Sequence, residues 1–480
     1  MKMTHTPNTR CRAAFVRCDI TPPIGIYHRM WGAALLDQAT GVHRPLEATL
    51  FWLESANGGI STAQIVISLD HCILDTAEIS AIRNAIKEST GVGYDSILVT
   101  LTHTHGSGWM SRSRSQLPGG ELIGPYLDRL VSELRSLAVD AQKKVETASI
   151  VYSHGRCNLA AHRDYFDNSM GRYVCGYNPE GLADDTLLIG SVINESGKRL
   201  GTIVNYACHP TTLAWDNTLI SPDWVGSMRE VLEANEGGIT LFLQGASGDL
   251  GPREGFVGDT VVADRNGRKV GFAALSAIAN TPPPCTSFHY NGAVVSGTLI
   301  GTWKDLGFNQ DENENAEQWR WEDLVIELPY RHDLPTIEST TEERDFWLKE
   351  ETIARSAGDE PRTRHCRAEV EQRTRQLTRL NVLVTGRFYP LRTRIGLAGD
   401  CIWLFTPGEL YQVFQLELRK RFAPRPVMIS TLTNDWQPGY IPAASSFGYG
   451  IYQDVIAATS PGCLEILIES ISRKLNLMLE

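Results

Sequence analysis

The 480-residue chain has no uninterrupted apolar run long enough to span a membrane, and its first ten residues lack the apolar stretch of an export signal. It also has no low-complexity tract, no internal repeat and no linker-like segment. These absences predict a cytoplasmic protein without stable membrane insertion. They favour a flexible N-terminal tail over residues 1–12 and a single catalytic domain over residues 13–480.

Cysteine pairs and basic clusters are missing as well. None of the ten cysteines forms a Cys-x-x-Cys pair, which argues against a cysteine-based zinc or redox motif. Acidic residues number 56 against 45 Lys and Arg, the net charge is −11, and no basic stripe interrupts this balance. The charge argues against nucleic acid as a partner and favours a small-molecule substrate, while the oligomeric state is left open.

The pattern that is present alternates strands with helices. Apolar runs at 63–70 and 96–102 predict buried strands, and amphipathic stretches at 77–88 and 124–144 predict helices. A charge-dense segment at about 335–380 predicts a solvated helical hairpin on the outside of the protein. Together these patterns predict an α/β fold, a layered mixed sheet with flanking helices.

Polar residues follow the ends of five apolar runs, and this is the strongest functional signal in the chain. In open α/β sheets ligands bind at this edge, because the strands fix the positions of residues on the loops. Histidine, glutamate and tyrosine together form a nitrogen and oxygen ligand set suited to a divalent metal with an open coordination position. The strand ends carry His103 with His105, then His209, Asp249, Glu409 and the stretch from Asn434 to Tyr440.

Each of these residues also has an ordinary explanation when it is taken alone. A histidine at a strand end is most often a hydrogen-bonded structural residue, and Glu409 at a helix start stabilises the helix dipole. Arg163 lies among acidic residues and could form only a surface ion pair. The Gly245-Ala-Ser-Gly-Asp249 turn does not match Gly-x-Ser-x-Gly, which argues against a serine nucleophile.

Eight short motifs in one order resemble the neutral, non-lysosomal ceramidase family, whose members are zinc-dependent amidases with a large α/β catalytic domain. The resemblance runs from about residue 13 to 455. The motifs are Asp19-Ile-Thr-Pro-Pro23, Gly41-Val-His-Arg-Pro-Leu46, Ser68-Leu-Asp70, Thr102-His-Thr-His-Gly-Ser107, Asn205-Tyr-Ala-Cys-His-Pro210, Leu243-Gln-Gly-Ala-Ser-Gly-Asp249, Pro407-Gly-Glu409 and Gly439-Tyr-Ile-Pro442.

The resemblance implies roles for individual residues. It makes His103, His209, Glu409 and Tyr440 the ligands of one zinc ion per chain, with another divalent metal left open. It makes the remaining residues catalytic. His105 would move protons, and Arg163 would bind developing negative charge. Tyr452 would be a second active-site tyrosine, with Tyr449 as the alternative, and Asp249 would be a catalytic residue in the Gly245-Ala-Ser-Gly-Asp249 turn.

Two departures from the family pattern bear on the substrate. Gly251 stands where the family carries an active-site serine, and we expect no C-terminal immunoglobulin-like domain. We therefore expect a zinc-dependent hydrolase that uses metal-activated water on an amide or related bond of a small or glycosylated substrate, and not a true ceramidase. Zinc-assisted cleavage of a sugar linkage, by hydrolysis or by β-elimination from a carboxylated sugar, is the alternative. A non-catalytic binding protein is the third hypothesis.

Overall fold

The structure is a computed structural model that describes residues 3–480. Its strands are β1 (Met3–His5), β2 (Asn8–Asp19), β3 (Gly41–Val42), β4 (Glu47–Ser55), β5 (Gln64–Leu69), β6 (Ile97–Leu101), β7 (Glu146–Arg156), β8 (Ala160–His162), β9 (Asp164–Asp167), β10 (Arg172–Cys175), β11 (Thr186–Asn194), β12 (Arg199–Tyr206), β13 (Leu219–Ile220), β14 (Ile239–Gln244), β15 (Leu250–Pro252), β16 (Thr286–Val295), β17 (Leu299–Gly307), β18 (Trp319–Pro329), β19 (Phe388–Ala398), β20 (Cys401–Phe405), β21 (Glu409–Leu410), β22 (Val427–Ser430) and β23 (Tyr440–Ile441). Its α-helices are α1 (Thr76–Thr90), α2 (Ile123–Lys143), α3 (Trp224–Glu236), α4 (Thr260–Ala279), α5 (Gln310–Ala316), α6 (Ile337–Ser356), α7 (Glu360–Val382), α8 (Val413–Phe422), α9 (Tyr452–Ile456) and α10 (Cys463–Leu479).

An eight-stranded mixed sheet is the centre of the fold. Its strand order is β14-β12-β11-β7-β2-β4-β5-β6, with parallel pairs at the two edges and antiparallel pairs between them. A four-stranded sheet, β18-β19-β20-β22, packs on one face through aromatic side chains such as Phe51 and Trp403. The predicted layered, mixed α/β architecture is confirmed.

Helices cover the outer faces of both sheets, which gives four layers. α1 and α2 pack on one half of the large sheet, and α3 and α4 pack on the other half. α8 and α10 cover the far side of the small sheet. Strands buried on both faces in this way must be apolar throughout, which explains the continuous apolar runs of β5 and β6.

The N-terminal residues differ from the predicted flexible tail. Residues 3–5 form β1 on the β16–β17 hairpin, and β2 already begins at Asn8. The side chains of Asn8 and Thr9 are completely buried, because the backbone of Asn8 donates to Asp400 and Thr9 donates to the carbonyl of Ala398. Polar residues therefore begin a central strand of the sheet here, and their side-chain and backbone partners come from almost four hundred residues away.

The charged segment forms the predicted hairpin, and its helices α6 and α7 pack along each other. The prediction that the hairpin is simply solvated is wrong for one face of α7. Glu371 on that face is 5% exposed and forms an ion pair with the buried Arg114. In residues 3–480 no helix is both long enough and apolar enough to cross a membrane.

A buried ion pair fixes α3 against the large sheet. Arg229 donates two hydrogen bonds to Asp70, of 2.6 and 2.9 Å, and both side chains are almost fully buried. Asp70 also accepts from the backbone nitrogen of Glu47. Asp70 immediately follows β5, so the pair holds the strand end that leads to the polar edge of the sheet.

We predict that Asp70→Asn lowers the free energy of unfolding by about 3–5 kcal/mol, because it removes the charge that both short hydrogen bonds of the buried Arg229 use and leaves only the 3.4 Å contact with Glu47. The control is Asp140→Asn, which removes an exposed ion pair with Lys144 and should cost about 0.5 kcal/mol or less. Urea unfolding of both variants measures the difference. Equal losses of unfolding free energy in the two variants would show that the buried ion pair stabilises the protein no more than the exposed one.

Candidate metal centre and active site

His103 reaches the site from a strained turn directly after β6. Its φ is 68°, a left-handed conformation that non-glycine residues rarely adopt, and its backbone nitrogen donates to the carbonyl of His71 at 2.9 Å. The ring Nδ1 lies 2.8 Å from the carbonyl oxygen of Cys72. Because a carbonyl only accepts, Nδ1 carries the proton and the lone pair of Nε2 points into the site.

His209 is held in the same way after β12. Its Nδ1 lies 2.7 Å from the carbonyl oxygen of Ser247 and 3.0 Å from that of Leu250, in the turn that follows β14. Nδ1 is again the protonated nitrogen, so Nε2 of His209 also points inward. Backbone carbonyls thus fix both the orientation and the tautomer of two imidazoles, which is the usual arrangement behind metal-binding histidines.

Glu409 and Tyr440 complete the cluster from the segments that follow β20 and β22 of the four-stranded sheet, where they form a separate two-stranded sheet. They are paired residues of the short parallel strands β21 and β23. The Oε2 of Glu409 lies 3.2 Å from Nε2 of His103 and 3.0 Å from Nε2 of His209. The hydroxyl of Tyr440 lies 3.4 Å from Nε2 of His209. Four ligand atoms therefore converge from segments that follow strands of the eight-stranded and the four-stranded sheet.

This donor set fits a divalent metal ion. One ligand atom each from His103, His209 and Glu409 lies within 4.8 Å of the others, and Nε2 of His103 is buried without a hydrogen-bond partner. Two imidazole lone pairs and a carboxylate that face one point repel each other unless a cation lies between them. The three residues therefore form a candidate metal site, and Tyr440 is placed to be a fourth ligand.

The charges of the metal-free cluster are strongly coupled. Burial lowers the pKa of His103, but Cys72 and the Glu409 carboxylate outweigh burial and hold this pKa well above its ordinary value. Burial raises the pKa of Glu409, yet the two histidines hold it well below its ordinary value. Burial, reinforced by Arg163, lowers the pKa of His209 to about 4. Without a metal, this coupling favours a second proton on His103, at Nε2, next to an ionised Glu409.

His105 lies beside the cluster with both ring nitrogens unpartnered. Its ring centroid is 5.1 Å from that of His103 and 6.2 Å from that of His209, and on its other side it packs against Trp31 at 5.0 Å. Burial, with the positive charge of His103 second, holds the pKa of His105 well below its ordinary value. The neutral ring is therefore free to exchange protons with a substrate.

Arg163 lies on the opposite side of the cluster, between β8 and β9. It is 4% exposed, donates to the carbonyl oxygen of Gly248 at 2.6 Å, and its guanidinium carbon is 5.4 Å from the ring centre of Tyr440. In residues 3–480 no carboxylate oxygen lies within 4.0 Å of this guanidinium. The predicted surface ion pair is absent, and the buried cation faces the site.

The two tyrosines that the sequence left open are clearly separated in space. The ring of Tyr452, at the start of α9, lies 5.8 Å from that of Tyr440. Tyr449 is 61% exposed and packs against Tyr173, at 6.0 Å, instead. Tyr452 is therefore the tyrosine at the mouth of the cluster.

Two of the strand-end residues have structural partners. Asp249 accepts hydrogen bonds from the backbone and side-chain nitrogens of Gln412, at 2.8 and 3.0 Å, and lies 3.8 Å from His162. Asn434 exchanges hydrogen bonds with the backbone of Val99, where it joins the two sheets. The Asp249 carboxylate thus supports the loop behind Arg163. Its contacts with Gln412 and His162 do not support the predicted catalytic role.

Sequence reasoning missed the side chains that α7 and the aromatic loops bring to the site. Arg375 and Arg379 lie four residues apart on one face of α7, where the i, i+4 spacing is the only signal in the sequence. Trp31 packs edge-on against Trp215 and Phe256 beside His105. These residues surround the cluster with a cationic side and an aromatic side.

The cavities at the edges of the site are shallow. One of about 10 Å³ lies between Trp31, Trp215 and His105, and one of about 50 Å³ lies between Arg379 and the segment after Tyr452. Each has room for one to a few water molecules. Neither would enclose a long acyl chain.

Comparisons with known proteins identify the family and the fold of the chain. A family model described as "Neutral/alkaline non-lysosomal ceramidase, N-terminal" matches residues 14–258, which is more than half of the chain. The crystal structure of neutral ceramidase from Pseudomonas aeruginosa superposes with a TM-score of 0.64 at 15% identity, covering 97% of this chain and 73% of that one. A structure of ceramidase complexed with C2 gives the same score and identity, with coverages of 98% and 76%. No curated protein matches the sequence.

We predict that metal binding at about pH 7 releases protons, because the contacts with Cys72 and Glu409 hold the pKa of His103 well above its ordinary value in the metal-free site and the metal needs the same lone pair. Metal affinity should rise by about tenfold per pH unit for each proton released. Titration calorimetry in buffers of different ionisation enthalpy measures the number. Heats that do not depend on the buffer would contradict the protonated His103–Glu409 pair.

Proposed function

Because the chain belongs to the neutral/alkaline non-lysosomal ceramidase family, we propose that it is a zinc-dependent hydrolase of an amide or related bond in a small or glycosylated substrate. Membership of this family supports hydrolysis as the reaction class. The specific bond, the zinc ion and the roles of individual residues are our proposal. Its main support is the pair of histidines whose Nδ1 protons are bound by backbone carbonyls, so that both Nε2 lone pairs point at Glu409.

His103, His209, Glu409 and Tyr440 would hold the ion. A zinc ion in such a site acts as a Lewis acid and lowers the pKa of the water that attacks the substrate. Three protein ligands would leave a coordination position open for this purpose. The remaining residues of the site then have to move protons and stabilise charge.

His105 is placed to move the protons. As water attacks the carbonyl carbon, a proton passes from the water to His105, and the C–N bond breaks when this proton is delivered to the leaving nitrogen. The products are a carboxylic acid and an amine. The depressed pKa keeps the ring neutral beforehand, so it has a lone pair to accept the proton.

Arg163 and Tyr452 are placed to stabilise the oxyanion that forms during the attack. Arg163 is buried next to Tyr440 and has no carboxylate partner, so developing negative charge would interact with it at low dielectric. The ring of Tyr452 also lies next to Tyr440, 5.8 Å from it. Fixed donors of this kind contribute more than mobile water because they need no reorganisation during the reaction.

The surroundings of the site favour a compact substrate. A side chain at Gly251 would begin only 4.0 Å from Cδ of Arg163, so the missing serine leaves open space beside that arginine. The adjoining cavities are small, and the aromatic side formed by Trp31 and Trp215 suits the apolar face of a sugar ring or a short acyl group. These features support a small or glycosylated substrate over ceramide.

Elimination from a carboxylated sugar is the second candidate function. It is favoured by the unpaired charge of Arg163, which could neutralise the sugar carboxylate while a base removes the adjacent proton. The electrons of the C–H bond form a C=C bond while the C–O bond to the leaving sugar breaks, and the leaving oxygen takes up the proton that the base removed. An unsaturated product thus forms without uptake of water.

We predict that His103→Ala and His105→Ala separate the two kinds of role. Loss of His103 should remove the bound metal and the activity together. Loss of His105 should leave one metal ion per chain and lower kcat by about 100-fold or more, because only proton transfer is lost. Metal content by mass spectrometry and kcat are measured on the same preparations. A metal-loaded, fully active His103→Ala protein would refute the proposal, and a fully active His105→Ala protein would remove the proton role.

Reaction in water labelled with heavy oxygen should place one labelled atom in the acid product if the enzyme hydrolyses its substrate. Elimination should give an unlabelled product that absorbs ultraviolet light. Mass spectrometry and absorbance of the same reaction distinguish these outcomes. A protein that binds one metal per chain and turns over neither amides, esters nor glycosides would be the non-catalytic homologue.

A further inference from the structure

One face of α7, the helix whose Arg379 lies next to the cluster, carries three charged residues. Glu371, Arg375 and Arg379 are spaced four residues apart and therefore lie in a row along the helix. Glu371 is 3.1 Å from Arg114 and 3.0 Å from Arg375. Burial opposes its ionisation, but Arg375 and Arg114 lower the pKa of Glu371 to about 2. This single carboxylate is thus shared by two arginines.

Arg375 is held in place by its neighbours. Besides its bond to Glu371 it donates to the carbonyl oxygen of Met30 at 2.7 Å, and its guanidinium lies over the ring of Trp109 at 5.5 Å. Its side chain is 19% exposed. Arg375 therefore connects α7 to the loop that carries Trp31, and it acts as a positioning residue for the helix.

Arg379 is the member of the row without a partner. In residues 3–480 it forms no ion pair within 4.0 Å and no side-chain hydrogen bond. Its Cδ passes 3.9 Å from the point where a Cβ on Gly439 would lie, next to the candidate metal ligand Tyr440. Arg379 also lines the 50 Å³ cavity with Val455 and Ala457, just after Tyr452. The nearest acid in that cavity, Asp333, is paired with Arg331.

The charges around the cluster do not balance without a substrate. Arg163 and Arg379 each contribute a positive charge that no carboxylate in the described residues neutralises at close range, and Glu409 is already engaged by two histidines. A bound divalent ion increases the excess. A neutral substrate would cover Arg379 and leave it desolvated and unpaired, which is unfavourable, whereas a carboxylate would match its two parallel N–H donors.

We propose that Arg379 binds a carboxylate of the substrate, so that the natural substrate is an anion. This proposal rests on the proposed function, since it assigns a substrate class to the same site. It requires the carboxylate to lie on the α7 side of the scissile bond, in the cavity between Arg379 and the segment after Tyr452.

The test compares ligands that differ only in charge. Zinc-loaded protein is titrated with three matched pairs: N-acetylglycinate and N-acetylglycinamide, N-methylsuccinamate and its diamide, and glucuronate and glucuronamide. The variants are Arg379→Gln, Arg379→Lys and the control Arg364→Gln, which removes the same charge from an exposed position of the same helix that forms no ion pair. Binding by calorimetry needs no turnover.

We expect at least one carboxylate to bind about 10- to 100-fold more tightly than its amide, the range of a hydrogen-bonded charge pair. Arg379→Gln should abolish this preference, Arg379→Lys should keep part of it, and Arg364→Gln should leave it unchanged. A wild-type preference below about threefold in every pair, undetectable binding included, would overturn the proposal. So would a preference that Arg379→Gln does not change.

The same preparations keep this proposal separate from the proposed function. If amides are hydrolysed with a zinc dependence but neutral ones are preferred, the carboxylate site is refuted and the hydrolase stands. If no bond is cleaved but the carboxylate preference disappears in Arg379→Gln, the hydrolase is refuted and the carboxylate site stands. The ligand that shows the largest preference also places the charge on the acyl half, the amine half or a sugar.

Discussion

The chemistry of this site depends on two hydrogen bonds from imidazole rings to backbone carbonyls. Cys72 and Ser247 accept the Nδ1 protons of His103 and His209, and this decides that both Nε2 lone pairs face Glu409. The left-handed backbone of His103 costs about 1–2 kcal/mol, which the surrounding hydrogen bonds outweigh. With the rings fixed in advance, metal binding needs no ordering of the ligands, only the loss of a proton.

The ligands come from two sheets, so the site is only as rigid as the junction between those sheets. Apolar packing holds their faces together, but at the strand ends the junction is polar. Asn434 follows β22 and exchanges two hydrogen bonds with Val99 of β6. Asn205 of β12 donates to the carbonyls of Leu243 and Ile429, one in each sheet. These amides keep the histidines, which follow strands of the large sheet, in register with Glu409 and Tyr440, which follow strands of the small sheet.

The sequence was sufficient for the framework and for much of the site. Alternating apolar runs predicted the α/β layers, and polar residues at strand ends predicted the cluster, because strand direction alone decides which ends share an edge. The motif resemblance, confirmed as family membership, assigned different expected roles to His103 and His105, which the strand-end pattern alone did not distinguish. Asn434 shows the limit of this reasoning, since a polar strand end can join two sheets as well as bind a ligand.

The N-terminal strand β1 and the buried packing of α7 could not be predicted, for one shared physical reason. Asn8 is buried by Asp400, and α7 is placed by contacts of Glu371 and Arg375 with loops near the start of the chain. Local sequence shows only polarity in both places, and polarity indicates solvent unless a distant partner is known. Charged residues buried through such long-range contacts are therefore the most informative part of the structure, because only the folded chain reveals them.

The same contacts give the site two unlike sides. Trp31 and Trp215 form an aromatic side next to His105, whereas Arg379 forms a cationic side next to Tyr440. Arg375 links them, since it lies on α7 and donates to Met30, the residue before Trp31. A substrate with an apolar half and a charged half would fit in only one orientation. The orientation then decides which of its atoms faces the candidate metal site, so α7 would influence the reaction although it supplies none of the candidate metal ligands.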